Sequence, residues 1–173
     1  MNEVIKEKNN LINNMSSLIL GTTNNKNLPN SSYAPFGIDN ENNFYIFISE
    51  LSKHTKNIML NPNVSLMIIE DESKSKTIFA RKRLTITGKA SIINRNEKDW
   101  NQKIKILENK FDDTFTYLKN MEDFHLFKIT PISGLLVFGF AKAFNLEGPE
   151  LVNVVHLNEK GHRPKKEKQW KEF

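Results

Sequence analysis

The stretch from Ile78 to Ala90 constrains the fold of this chain more than any other. Leu84, Ile86 and Ala90 alternate with Thr85, Thr87 and Lys89, which is the period-2 pattern of a strand with one buried face. Arg81 and Arg83 share one parity, so a strand over this stretch would project both from the same side, roughly 6–7 Å apart. Two guanidinium forks held on a strand suit an anionic ligand, because each pairs bidentately with carboxylate or phosphate. The ordinary alternative is a pair of solvated surface charges.

The flanking sequence reads as further strands separated by short polar turns. An amphipathic helix is expected over residues 3–14, where Val4, Ile5, Lys8, Leu11 and Ile12 fall at helical spacing. Strands are expected over Ser17–Thr23, Pro29–Phe36 and Asn43–Ser49, with Asn24–Asn27 as a turn. A helix follows over Leu51–Leu60, with Ser49 or Ser52 as N-cap and Leu51, Thr55, Ile58 and Met59 on one face; Asn61-Pro62-Asn63 ends it. The apolar run Val64–Ile69 suggests a strand buried on both faces, and Glu70–Ser75 a polar loop. The central strand then runs to about Ile93, and Asn96–Leu118 reads as helix in two pieces. Phe124–Thr130 alternates as a strand, Pro131 and Gly134 bend the chain, and Leu135–Phe144 reads as the last long strand. After Gly148-Pro149, Leu151–Leu157 is a short strand or helix. Six or more strands with few helices, and no strict strand–helix alternation, imply a mainly β fold: a closed antiparallel barrel with peripheral helices.

Composition narrows the function. At 173 residues, 38% of them hydrophobic and with 12 Phe, the chain fits one globular domain with a proper core. It has no cysteine, which excludes thiol catalysis, thiolate metal sites and disulfides and suits a reducing cytoplasm. No apolar run approaches the roughly 20 residues of a membrane helix, so no membrane partner is expected. The net charge of +5 is concentrated at one end: six Lys/Arg against two Glu lie between Lys160 and Phe173. The surplus is therefore a basic tail rather than a basic face, and no nucleic-acid partner is expected. The chain divides into a barrel domain over residues 1–157 and a tail over 158–173.

Four histidines, His54, His125, His156 and His162, are the side chains suited to bind a soft or borderline metal near neutral pH. None occurs in an H-x-x-x-H or H-E-x-x-H spacing, so a multi-histidine zinc site has no support. His54, in the first turn of a helix, and His125, in an alternating strand, read as structural. His162 follows Gly161 in a polar segment with no core to pack into; it is a solvated residue or a single axial ligand. No G-x-G-x-x-G, G-x-x-x-x-G-K-[ST] or G-x-S-x-G occurs, and the carboxylate pairs near residues 70–72 and 112–113 fall in loops or helix ends.

Four blocks taken together resemble a known family. Ile48-Ser-Glu-Leu-Ser-Lys-His-Thr-Lys-Asn57, Asn61-Pro-Asn-Val-Ser65, Phe79-Ala-Arg-Lys-Arg-Leu-Thr85 and Gly139-Phe-Ala-Lys-Ala-Phe144 are similar to the successive blocks of the HugZ/HutZ haem-utilisation proteins. That family belongs to the pyridoxamine-phosphate-oxidase-like, FMN-binding split-barrel superfamily, and the match spans roughly residues 15–163. The resemblance implies a split β-barrel homodimer that degrades haem with O₂ and an external electron donor or reductase to a biliverdin-type product, CO and iron. His162 matches the family's iron ligand in the C-terminal loop, with His156 the alternative. Arg83 matches the arginine over the opposite haem face, with Arg81 the alternative, and Lys142 is carried over as a cofactor-binding position. Ala141 departs from the pattern, which commonly has glycine there. Two other readings stay open: a module that stores or carries haem without turning it over, and an FMN-dependent oxidoreductase using Arg81 and Arg83 for the flavin phosphate.

Overall fold

The structure, a computed structural model, describes residues 2–111 and 113–157. Its elements are α1 (Asn2–Asn14), β1 (Ser17–Thr23), β2 (Pro29–Pro35), β3 (Gly37–Ile38), β4 (Phe44–Ser49), α2 (Lys53–Leu60), β5 (Asn63–Ile69), β6 (Arg83–Ile93), α3 (Trp100–Glu108), α4 (Asp113–Leu118), β7 (Phe124–Val137), β8 (Ala143–Glu147) and β9 (Asn153–His156). All strand pairs are antiparallel, in the order β2-β1-β5-β6-β7-β4-β3, with β8 and β9 continuing from the far half of β7. The two ends of that ladder are one piece of chain. Residues 29–35 pair with β1 and residues 37–38 with β4, so the sheet curls round on itself through Phe36. The result is a split antiparallel barrel with β8–β9 as a flap on one side.

Alternation fills the barrel. In β6, Leu84, Ile86 and Ala90 are buried while Arg83, Thr85 and Thr87 face outward, as the spacing requires. They meet Leu18, Leu20, Phe36, Leu66 and Ile129 in the main core. A second core lies outside the barrel wall, where Tyr45 and Phe47 of β4 pack on Trp100, Ile104, Leu107 and Phe115 of the α3–α4 pair. Large side chains buried this completely contribute about 1.5–3 kcal/mol each.

The strand buried on both faces is therefore β4, whose first five residues are all buried, and not Val64–Ile69. The helix pair covers the outer side of β4, whereas β5 keeps Ser65 exposed and alternates. The α2 face also differs: Thr55, Asn57 and Ile58 are buried, while Leu51 and Met59 lie outside. Ser52 is the N-cap residue, and Ser49 Oγ accepts from Leu51 N at 3.2 Å.

The proline bend does not end β7, which runs unbroken from Phe124 to Val137. Pro131 lies opposite Gly88, where the register slips by one residue, and this bulge absorbs the missing donor. Gly88 is required there: a Cβ would lie 2.9 Å from Ile129 Cγ2 and 3.1 Å from Thr130 O. The chain then turns at residues 138–142, so the expected strand 135–144 is the end of β7, a turn and the start of β8. Residues 151–157 resolve as strand β9.

Candidate functional site

Arg83 opens β6 and Arg81 precedes it in a different kind of structure. Ile78–Ala80 is a single 3-10 turn and Arg81 caps it, so the strand begins two residues later than its alternating sequence suggests. Parity on a strand therefore does not relate the two arginines. Arg81 is bound internally: Nε donates to the Glu70 carbonyl at 2.7 Å and Nη1 meets Glu72 Oε1 at 2.9 Å. Arg83 makes one internal bond, Nη1 to the Arg81 carbonyl at 3.0 Å. A guanidinium carries five N–H donors, which leaves Arg83 the more available of the two for a ligand.

Register sets the surroundings of Arg83. Its cross-strand partners are Ile69 on β5 and Val137 on β7, and Val137 in turn pairs with Ala143 on β8. Further along the same outer face, Thr85, Thr87, Ser133, Leu135, Asn145 and Glu147 line a shallow depression of about 250 Å³. Beside Arg83, this surface combines hydroxyl and amide groups, the carboxylate of Glu147 and the side chain of Leu135. On β9, Val155 stands opposite Asn145 and is half exposed.

His156 lies on β9 opposite Phe144, with ring centroids 4.7 Å apart. Its Nε2 donates to the Ala141 carbonyl at 2.8 Å, which fixes the proton on that nitrogen and leaves Nδ1 as the acceptor. Ala141 has φ +58, in the left-handed region where a Cβ is costly, so the His156 bond and the Lys142–Gly139 turn hold a strained residue in place. A glycine at this position would relieve that strain. His162 lies outside the described residues, as does the 158–173 tail.

Lys142 points to the opposite side of the sheet from Arg83. Its Nζ lies 3.4 Å from Glu3 Oε1 of α1 and 5.2 Å from the Phe138 ring centroid. Lys82 likewise faces α1 and pairs with Glu7. The candidate binding residues thus divide between two faces of the molecule.

The other histidines are accounted for locally. His125 Nε2 meets Glu50 Oε2 at 3.0 Å. His54 has a buried Nε2 with no partner among the described residues, and burial lowers the pKa of its ring. Among the described residues no three His, Cys, Asp or Glu side chains gather to hold a metal, and no helix is long and apolar enough to cross a membrane.

The motif residues beside His54 are structural. Thr55 Oγ1 donates to the Ser49 carbonyl at 2.6 Å, Asn57 Nδ2 to Thr22 Oγ1 at 3.0 Å, and Asn61 Nδ2 to Thr23 Oγ1 at 2.7 Å. The two asparagines bind the end of α2 and the residue after it to β1, and Thr55 ties the helix to the end of β4.

Residues 4–138 match the model of the pyridoxamine 5'-phosphate oxidase family. The chain is 42% identical over 147 residues to the haem oxygenase HutZ of Vibrio cholerae, covering 85% of this chain and 82% of that one. A crystal structure of HutZ, described as the haem storage protein of Vibrio cholerae, superposes with a TM-score of 0.74 at 35% identity over 79% of this chain and 96% of that chain. Campylobacter jejuni ChuZ superposes with a TM-score of 0.84 at 34% identity, over 95% of this chain and 66% of that one. With its barrel, its motif blocks and these matches in agreement, the chain belongs to the pyridoxamine-phosphate-oxidase-like split-barrel family and, within it, to the HugZ/HutZ haem-utilisation group.

Proposed function

We propose that this protein binds haem against the outer face headed by Arg83 and degrades it oxidatively to a biliverdin-type product, CO and iron, as a homodimer in the cytoplasm served by an external reductase. The observation that carries the reading is the available guanidinium of Arg83 at the start of β6, in a chain 42% identical to a haem oxygenase. The residues present suit the group. A flat macrocycle with two carboxylates needs apolar contact, polar groups and a cation; the β6–β7–β8 face offers Leu135, the hydroxyl and amide groups around it, and Arg83 at its head.

Bound haem supplies the iron at which dioxygen reacts and the ring that is cleaved. The chain supplies orientation and polarity. Arg83 would hold the bound group through its remaining N–H donors and would favour negative charge developing beside them. His162 would hold the iron, as the resemblance implies; His156, whose Nε2 bond to the Ala141 carbonyl leaves Nδ1 free, is the alternative. Arg81 holds the 70–82 segment through Glu70 and Glu72 and so positions Arg83, whose own bond is to the Arg81 carbonyl. Lys142, on the α1 side, has a place in haem binding only through that end of the fold.

A second reading, haem storage without turnover, is favoured by the description of the HutZ crystal structure as a haem storage protein. Hemin titration followed by ascorbate in air separates the two. Turnover predicts a Soret band that forms and then decays with release of CO and ferrous iron. A stable band means storage. A yellow protein with no Soret shift would instead support an FMN-dependent oxidoreductase, the chemistry after which the matched family is named.

A further inference from the structure

A cavity of about 260 Å³ opens beside the second core, between β4, the end of α3 and α4. Its inner wall is Phe47, Leu107 and Phe115, all buried, with the half-buried Phe111 and Leu118 flanking them. Pro35 and Thr114 are exposed and mark its mouth. It shares no residue with the depression on the Arg83 face. An apolar cavity of about 150 Å³ already admits benzene, so this one has room for a larger ring or for two fused rings.

None of the described residues that line the cavity carries a charge. The cations that touch its wall rings are engaged elsewhere. Lys110 Nζ lies 5.9 Å from the Phe111 centroid, but it sits closer over Phe36, at 3.8 Å, and donates to the Met15 carbonyl at 2.9 Å. Arg95 lies 5.8 Å from the Phe47 centroid, and its guanidinium donates to the carbonyls of Lys119, at 2.8 Å, and of Met121. An ionised ligand entering here would give up its hydration without meeting a counter-ion, so the cavity selects against charge.

The wall rings set a preference for shape. Phe47 and Phe115 meet edge to face, with centroids 5.5 Å apart and planes at 62°. Phe111 stands 6.4 Å from Phe115 at 34°. A flat ring entering between them can meet one of these by its face and another by its edge, the two arrangements that aromatic quadrupoles favour. An alkyl chain makes no such contacts and loses more rotamer freedom on entry.

We propose that this cavity is a second ligand site, independent of the haem reading, for an uncharged aromatic molecule of one or two fused rings. The ring lies against Phe111 and Phe115, with Leu107 and Leu118 in contact with its edges.

The test is calorimetric titration of the full-length protein with indole, 1-octanol and indole-2-carboxylate, with leucine methyl NMR spectra to locate the bound molecule. The site predicts that indole binds saturably and more tightly than the other two, without weakening as salt rises. Ring currents from bound indole should shift the methyl signals of Leu107 and Leu118. Leu118→Trp fills the cavity and should lower indole affinity at least about tenfold, and Phe111→Ala, which removes one wall ring, about fivefold. Hemin affinity stays unchanged in both variants. Should Leu118→Trp fail to fold, Phe111→Ala alone decides. The proposal is overturned if indole does not bind, if octanol or the carboxylate binds as tightly, if the shifts fall away from Leu107 and Leu118, or if either folded variant keeps wild-type affinity. Equal loss of hemin and indole affinity would also overturn it, since the two sites would then be one.

Discussion

At the scale of single residues, backbone strain and buried polar groups give the clearest expectations. Ala141 sits at φ +58, so Ala141→Gly should raise stability by about 0.5–1 kcal/mol in a urea unfolding curve. A loss of stability would mean that the turn tolerates a Cβ without strain. His54 carries a ring whose pKa is lowered by burial, with its Nε2 unpartnered among the described residues. Its stabilising contribution is complete above the unfolded-state value of about 6.5 and is lost as the pH falls through the lower folded-state value. Unfolding midpoints measured from pH 7 down to pH 5 should therefore decline, and more steeply in the wild type than in His54→Gln. Parallel profiles would show that His54 takes up its proton equally in both states.

At the scale of elements, Lys8 and Arg81 fix segments rather than ligands. Lys8 is 1% exposed, and its Nζ reaches the carbonyls of Glu150 and Leu151, tying α1 to the turn that leads into β9. Lys8→Ala leaves those carbonyls without their donor and should cost about 2 kcal/mol, read from chemical denaturation. A change below about 0.5 kcal/mol would mean that water satisfies both groups equally well. Arg81→Ala removes the bond to the Glu70 carbonyl and should cost about 1 kcal/mol. The same change at Arg83, which has one internal bond, should leave stability nearly unchanged. The strand pattern of β1 and β6 was legible because a two-residue period follows directly from having one face in the core. The length of β7 was not. Whether Pro131 breaks a strand or sits in a bulge depends on its cross-strand neighbour Gly88, some 40 residues away in the chain. Double burial of β4 was hidden for a similar reason, since the α3–α4 pair that covers it arrives later in the sequence.

At the scale of the whole molecule, the motif blocks mark a barrel wall more than a single pocket. Thr55 joins α2 to the end of β4, Asn57 and Asn61 join its C-terminal end to β1, Arg83 faces out from β6, and Lys142 faces α1. Sequence spacing identified Arg83 as a candidate but could not divide it from Lys142, because the direction of a side chain depends on where the strand starts and where its turn falls. The central claim is that the Arg83 face takes haem and supports its breakdown. It is tested most directly by CO release from the hemin-loaded protein with ascorbate in air, comparing the wild type with Arg83→Ala at matched Soret absorbance. Release of CO by the wild type, reduced about a hundredfold in Arg83→Ala with stability unchanged, is the predicted result. Equal CO release by both proteins, or none by the wild type, would contradict it.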